Sequence, residues 1–342
     1  MPDRPLSSDV HAFPSPCPVR PGRRLKLGVL SNPLSGGNRK GLAQVRQILA
    51  RYPDTYHREV QNLTDVVSAL ETFAQREVEI VGVNGGDGTI QAVLTALFHR
   101  RPFERPPLLA ILRSGTDSAI ARDVGLAGSR DHAVQALSRW ADTRDGQGVI
   151  LKRRVLRLQI TPENQPLYGM SFGAAAIYQG ILFCRRRVHT LGFHGDIAPG
   201  LTIVRFLLAL ARGKSDLVTP VPMSISLDQA PALHLTCMVV LISTLERLSA
   251  GLRPYWGRER GPLHYTAVSA RPRKVLLALP SLVRGRQGRH GTPENGYFSH
   301  NVREVRLSFN GGFTLDGELY QSDPQYGPMM VQDGGQASFL RL

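Results

Sequence analysis

The stretch from Val78 to Leu97, VEIVGVNGGDGTIQAVLTAL, decides how the chain is read. It opens as an apolar run with β-branched residues from Val78 to Val83. It breaks at Asn84-Gly85-Gly86-Asp87-Gly88 and resumes with Val93, Leu94 and Leu97 at helical spacing. That order is a strand, a glycine turn and a helix. Gly85, Gly86 and Gly88 let backbone N–H groups come close to an anion. Thr89 stands where the helix is expected to begin, and a helix start favours negative charge. Asp87 departs from that pattern, because a carboxylate repels phosphate unless Mg²⁺ lies between them. Local chemistry leaves two readings open. The turn seats a metal–nucleotide, or Asp87 caps the helix and the glycines only redirect the chain.

The same arrangement recurs on either side. Leu25 to Ser31 (LKLGVLS) reads as a strand, Asn32-Pro33-Leu34-Ser35-Gly36-Gly37-Asn38 as a loop of small residues, and Leu42, Val45, Ile48 and Leu49 as a helix face. The loop is not a Walker P-loop, since no Gly-Lys-Ser/Thr closes it. Val67, Leu70, Phe73 and Ala74 mark a helix before the Val78 strand. A third unit runs from Leu108 to Leu112 through Arg113-Ser114-Gly115-Thr116 into a short helix through Ile120. Strands alternating with helices predict a mainly parallel sheet, whose ligands sit beyond the carboxyl ends of its strands. All three glycine-bearing loops fall there and are expected to share one crevice.

After about Val149 the texture changes. Val155 to Ile160 alternates apolar and polar residues, as do parts of His234 to Ser243, Val275 to Leu279 and Val302 to Phe309, which predicts antiparallel strands. VREVRLSF, Asn310-Gly311-Gly312 and FTLDGELY together predict a hairpin with a glycine turn. Arg284 to His300 is rich in glycine and charge and reads as a mobile loop. A domain boundary is expected near residues 145–150.

The chain has 342 residues, 42% of them hydrophobic, with Lys+Arg 42 against Asp+Glu 27 and a formal net charge of +15. That excess suits an anionic partner or serves solubility alone. Cys17, Cys184 and Cys237 are far apart and odd in number, which supports neither a disulfide framework nor a zinc cluster and favours a reducing compartment. The proline-rich start, residues 1–24, lacks the apolar core of a signal peptide and is expected to be a loose tail. No stretch reaches the ~20 apolar residues of a membrane-spanning helix. Arg185, Arg186, Arg187, His189 and His194 precede the apolar Leu201 to Leu210, itself interrupted by Arg205. That segment reads as a helix lying on an anionic bilayer, or as a core helix with solvated basic ends. No basic–aromatic interleaving suggests nucleic acid.

On three motifs the sequence resembles the diacylglycerol kinase catalytic-domain family, particularly bacterial lipid kinases related to diacylglycerol and sphingosine kinases. They are Asn32-Pro33-Leu34-Ser35-Gly36-Gly37, Gly85-Gly86-Asp87-Gly88-Thr89 and Leu315-Asp316-Gly317-Glu318. The second is shared with NAD kinases and phosphofructokinases. The resemblance implies an α/β fold of two domains with the active site in the cleft. Residues 25–148 would be a mainly parallel, nucleotide-binding α/β domain. Residues 149–342 would be a β-sandwich-like domain for the lipid substrate, its last residues returning to the first domain.

The resemblance further implies transfer of the ATP γ-phosphate to a lipid hydroxyl with Mg²⁺. Asn32, Pro33, Ser35 and Gly36 would line the phosphates. Gly85, Gly86, Asp87, Gly88 and Thr89 would hold the nucleotide, with Gly115 and Thr116 touching it from the third loop. Glu318 would be the base, and Asp87 and Asp316 would support metal and catalysis. Two places depart from the family pattern: Ser118 and Ala119 stand where Asn and an acid are usual, and Gln91 and Ala92 where Asn-Glu is common. The implied setting is cytoplasmic, with peripheral association at an anionic inner membrane surface; a homodimer is compatible, and no nucleic-acid partner is expected. The alternatives are an NAD kinase-like enzyme with a soluble acceptor, or a nucleotide- or lipid-binding regulator that does not catalyse.

Overall fold

The computed structural model describes residues 23–39, 41–113, 118–143, 148–191, 219–248 and 251–342. Strands β1 (Leu27–Ser31), β2 (Thr55–Glu59), β3 (Ile80–Gly85) and β4 (Leu108–Arg113) pair in parallel in the order β2-β1-β3-β4. Helices α1 (Leu42–Leu49), α2 (Leu63–Gln75), α3 (Asp87–Thr95), α4 (Ala119–Val124) and α5 (Arg130–Thr143) cover the sheet. Successive strand residues point to opposite faces, so the continuous apolar runs serve two cores. Leu108, Ala110 and Leu112 join α1 and α5. Leu109 and Ile111 join α2, α3 and α4. Asn62 caps α2 by accepting from Asp65 N, and Asp65 accepts from Gln61 N, each at 2.9 Å.

The second half is strand-rich. It contains β5 (Val149–Gln159), β6 (Leu167–Gly169), β7 (Ser171–Ala175), α6 (Ala176–Leu191), β8 (Val221–Leu227), β9 (Leu233–Ser243), β10 (Leu263–Ser269), α7 (Val275–Leu282), β11 (Tyr297–Val302), β12 (Glu304–Ser308), β13 (Gly311–Leu315), β14 (Glu318–Ser322) and β15 (Met329–Arg341). Apart from β15 on β4, its ladders are antiparallel, and they enclose a core that includes Phe172, Ile242, Val305, Leu307 and Phe313. β15 is the link. It pairs with β5 and β12, then meets β4 in parallel at Phe339 and Leu109. A side-chain junction adds to it: Arg153 on β5 bonds Asp123 on α4 at 2.9 Å and Glu246 at 3.2 Å. Among the described residues no helix is long and apolar enough to cross a membrane.

Several expectations are corrected. Helix α3 begins at Asp87 with Gly86 as its N-cap, two residues before Thr89, and Asp87 is not the cap. Val275 to Leu279 is helical, because a short apolar run carries no period that separates strand from helix. Arg284 to His300 is not one loop: Tyr297–Val302 is a strand, and Tyr297 is buried. The strands flanking Asn310-Gly311-Gly312 do not pair with each other; β12 pairs with β8 and β15, and β13 with β7 and β14. The hairpin lies one motif later. Leu315 faces Glu318 across Asp316 and Gly317, whose φ angles of 48° and 84° fit a two-residue turn with both centres left-handed. The edge strand β2, TYHRE, has no apolar alternation and was missed.

Because Phe339 is fully buried where the final strand meets β4, Phe339→Ala should lower unfolding free energy by about 3–5 kcal/mol. Urea denaturation of the purified chain reads this directly; an unshifted midpoint would contradict the junction.

Candidate functional site

The chain leaves β1 at Ser31 and crosses the end of β3. Asn32 N donates to Asn84 O at 2.9 Å. The Asn32 side chain accepts from Leu34 N at 2.8 Å and donates to Thr89 Oγ1 at 2.9 Å. Asn38 is buried, and its Nδ2 donates to the carbonyls of Asn32 and Asn84 at 2.8 and 3.0 Å. Gly86 N donates to Ser35 Oγ at 3.2 Å. Arg130, at the start of α5, donates to Gly37 O at 2.5 Å. The first loop is thereby stitched to the glycine turn. Nothing lies within 4 Å of where a β-carbon would stand on Gly36 or Gly86, so protein packing does not explain glycine there.

Asp87 starts α3 and is tied to α4. Ser118 Oγ donates to Asp87 Oδ1, and Ala119 N donates to Oδ2 at 3.3 Å. Ser118 also caps α4, accepting from Ala121 N at 2.9 Å. The substituted position therefore still makes a polar contact with Asp87. Gly115, Thr116 and Asp117 lie outside the described residues, as do residues 192–218 of the expected amphipathic segment and the tail to residue 22.

The β13–β14 hairpin arrives from the other half. Asp316 is buried, and its carboxylate accepts from Met170 N at 2.9 Å and Ser171 N at 2.8 Å. Burial, and next the charge of Asp87, push its pKa well above the usual carboxylate value, against the pull of those N–H groups. Glu318 follows the turn and reaches the first turn of α3, where a β-carbon on Gly88 would collide with its carboxylate. Arg185 on α6 donates to Gly317 O at 2.8 Å and meets Glu318 Oε2 at 3.3 Å. That contact sets Arg185 beside the hairpin, whereas the sequence left its segment open between a bilayer surface and the solvated end of a core helix.

Helix α3 is held along its length. Gln91 Nε2 donates to Tyr320 OH at 3.0 Å, Tyr168 N donates to Thr95 Oγ1 at 3.0 Å, and Phe98, in the helical turn that follows α3, stacks on Tyr168 at 5.5 Å. Between α2, α3 and the hairpin lies a cleft of about 510 Å³, within the ~300–1,000 Å³ of ligand sites. Asn32, Ser35, Gly86 and Glu318 give it polar walls; Val60, Leu63, Val66 and Leu167 give it apolar ones.

A cleft lined by two stitched glycine loops and a carboxylate from a distant hairpin narrows the choice of relatives. Residues 26–145 match the model of the diacylglycerol kinase catalytic domain. This segment belongs to the diacylglycerol kinase catalytic-domain family. A stretch of 71 residues is 39% identical to "Probable lipid kinase YegS-like" of Enterobacter sp. (strain 638), and spans 21% of this chain and 23% of that relative. Two crystal structures from Bacillus anthracis str. Sterne, one of "a putative diacylglycerol kinase" and one of "a diacylglycerol kinases", share the fold. One has a TM-score of 0.62 at 18% identity over 93% of this chain and 97% of its own. The other has 0.57 at 16% identity over 92% and 97%.

The kinase-family domain thus supplies Asn32, Ser35, Gly86, Asp87, Gly88 and Thr89, while Asp316 and Glu318 come from the strand-rich half. Among the described residues no three His, Cys, Asp or Glu side chains form a metal-ligand group. Asp87 and Asp316 are nonetheless near enough for the charge of one to raise the other. Such like-charged oxygens suit Mg²⁺, which takes one or two carboxylates and completes its shell with phosphate. Sequence reasoning missed Asn38, Arg130 and Tyr320. Asn38 closes the first glycine loop and was readable as its anchor; the other two carry no local signal.

Asn38→Ala would orphan two carbonyl contacts beneath the first loop. It should cost about 1–3 kcal/mol, measurable as a lower urea midpoint, while a variant as stable as wild type would remove Asn38 from the anchoring role.

Proposed function

We propose that the chain is an ATP-dependent lipid kinase that transfers a γ-phosphate to a hydroxyl of a membrane lipid such as diacylglycerol or a sphingoid. The observation that carries this reading is the approach of Glu318, from the β13–β14 hairpin, to Gly88 in the first turn of α3. Phosphoryl transfer demands positioning and charge neutralisation more than covalent help from the protein. Gly36 and Gly86 leave the loop backbones open to phosphate, and Asn32 and Ser35 fix the loops to each other. The α3 N-terminus adds a positive dipole end.

Glu318 takes the proton of the acceptor hydroxyl as its oxygen attacks the γ-phosphorus and ADP leaves. Arg185 orients that carboxylate through its ion pair and offers a cation to the transferring phosphoryl group. Asp87 would hold Mg²⁺, with the charge of Asp316 behind it; the metal, when bound, neutralises phosphate charge. The apolar wall of Val60, Leu63, Val66 and Leu167 suits a ring or chain beside those polar groups. Residues 25–148 would form the nucleotide domain and 149–342 the acceptor domain. Catalysis at a membrane surface facing the cytoplasm follows from a membrane-held substrate.

Radiolabelled ATP offered with mixed-lipid vesicles should yield labelled lipid; none across many lipid classes would defeat the proposal, and labelled NADP from NAD would replace it with a soluble-acceptor kinase. Glu318→Gln should lower kcat by about 10²–10⁴-fold with the thermal melt unchanged. Near-normal turnover would take the base role from Glu318. Gly88→Ala removes a helix glycine, which alone stabilises by about 1 kcal/mol, yet it displaces Glu318. It should fold at least as well as wild type and lose most activity. An active Gly88→Ala enzyme would contradict the apposition.

A further inference from the structure

Helix α7 is an excursion from the β10–β11 hairpin. One side of it is anchored: Ala278 and Leu282 are buried against Trp256 and Tyr297. Both ends are clamped, Tyr297 OH donating to Arg273 O at 3.0 Å and Arg253 N to Val283 O at 2.9 Å. The other side has no cover. Leu276 and Leu277 are each 64% exposed, the most exposed large apolar residues described, and Pro280 beside them is exposed as well.

Charge surrounds these leucines. Arg271, Arg273 and Lys274 precede the helix, and Arg284, Arg286 and Arg289 follow it, all exposed. No acidic residue occurs between Arg271 and Glu294. None of these cations is paired with a carboxylate among the described residues. The following chain also folds back over the helix, since a β-carbon on Gly288 or Gly291 would collide with Ser281 or Leu282 respectively. The eight residues of α7 span about 12 Å, so cations stand at both ends of a short exposed leucine face.

We propose that α7 and its basic flanks are the surface by which this protein seats on an anionic phospholipid bilayer. Leucine side chains enter the headgroup–acyl boundary, where burial of apolar area gives affinity. The flanking arginines and Lys274 stay at headgroup level and meet anionic lipid. A second copy of the chain fits poorly, because a two-fold contact would set the same cations against themselves. A nucleic acid would use the cations and leave the leucines in water. The proposal rests on the lipid-kinase reading for its purpose, not for its physical basis.

The test uses the full chain without nucleotide and measures partition onto sedimented vesicles of phosphatidylcholine alone or with phosphatidylglycerol. Wild type should partition onto the phosphatidylglycerol vesicles, less so as salt rises. Leu276→Ser/Leu277→Ser should reduce partition at least about tenfold, as expected when two leucines stop being buried. Arg284→Glu/Arg286→Glu should reduce it and flatten its salt dependence. Leu233→Ser, at another exposed leucine on β9, should change nothing. Equal partition of the Leu276/Leu277 variant and wild type overturns the proposal, as does absence of wild-type partition. A change in sedimentation mass with unchanged partition overturns it in favour of self-association. Activity on a water-soluble short-chain diacylglycerol keeps the two readings apart. A chain that phosphorylates it but never partitions loses only the docking surface; one that partitions but phosphorylates neither it nor any lipid class of the vesicle assay loses only the kinase reading.

Discussion

The Asp316–Gly317 turn sets the position of the group on which the site depends. A carboxylate loses hydration when buried, and Asp316 recovers part of that through the backbone N–H groups of Met170 and Ser171. Those donors lie where β6 gives way to β7, so the turn is fixed against the interior of the strand-rich half. Gly317 supplies the second left-handed centre. Glu318 is the next residue, so its backbone is held by this anchor while its side chain reaches α3. A buried acid beside Asp87 is a local cost to stability, and a divalent cation with phosphate would relieve it.

Helix α3 is the common beam of the two halves. Its first turn carries Asp87 and Gly88, its middle meets Tyr320 through Gln91, and its end meets Tyr168 through Thr95. Loop and hairpin therefore reference one rigid element, whose register fixes how far the glycine turn stands from the carboxylate. Gln91, a departure from the family pattern, serves this purpose. Ser118, another departure, restrains Asp87.

The basic excess is divided among distinct tasks. Arg153 sits between Asp123 and Glu246 and holds the halves together. Arg130 secures the first loop, and Arg185 adjoins the hairpin. The cations around α7 have no such partners among the described residues and flank exposed leucines. Net charge alone does not separate these uses, because it carries no position.

The sequence by itself determined the parallel α/β half, with its strand–loop–helix units and a crevice beside the first two glycine loops. Each unit is written locally, by an apolar run, small turn residues and helical spacing. Leu315-Asp316-Gly317-Glu318 was singled out by the family resemblance, not by any local pattern of its own. Only the tertiary structure decided that Asp316-Gly317 is the turn, that β12 and β13 take separate partners, and that VLLAL in α7 is helical. It alone brought Glu318 to Gly88 and Tyr320 to Gln91, positions 229 residues apart in the latter case. The reason is physical: periodicity reports which face of an element is apolar, whereas strand partners are chosen by competition among distant edges for one buried core.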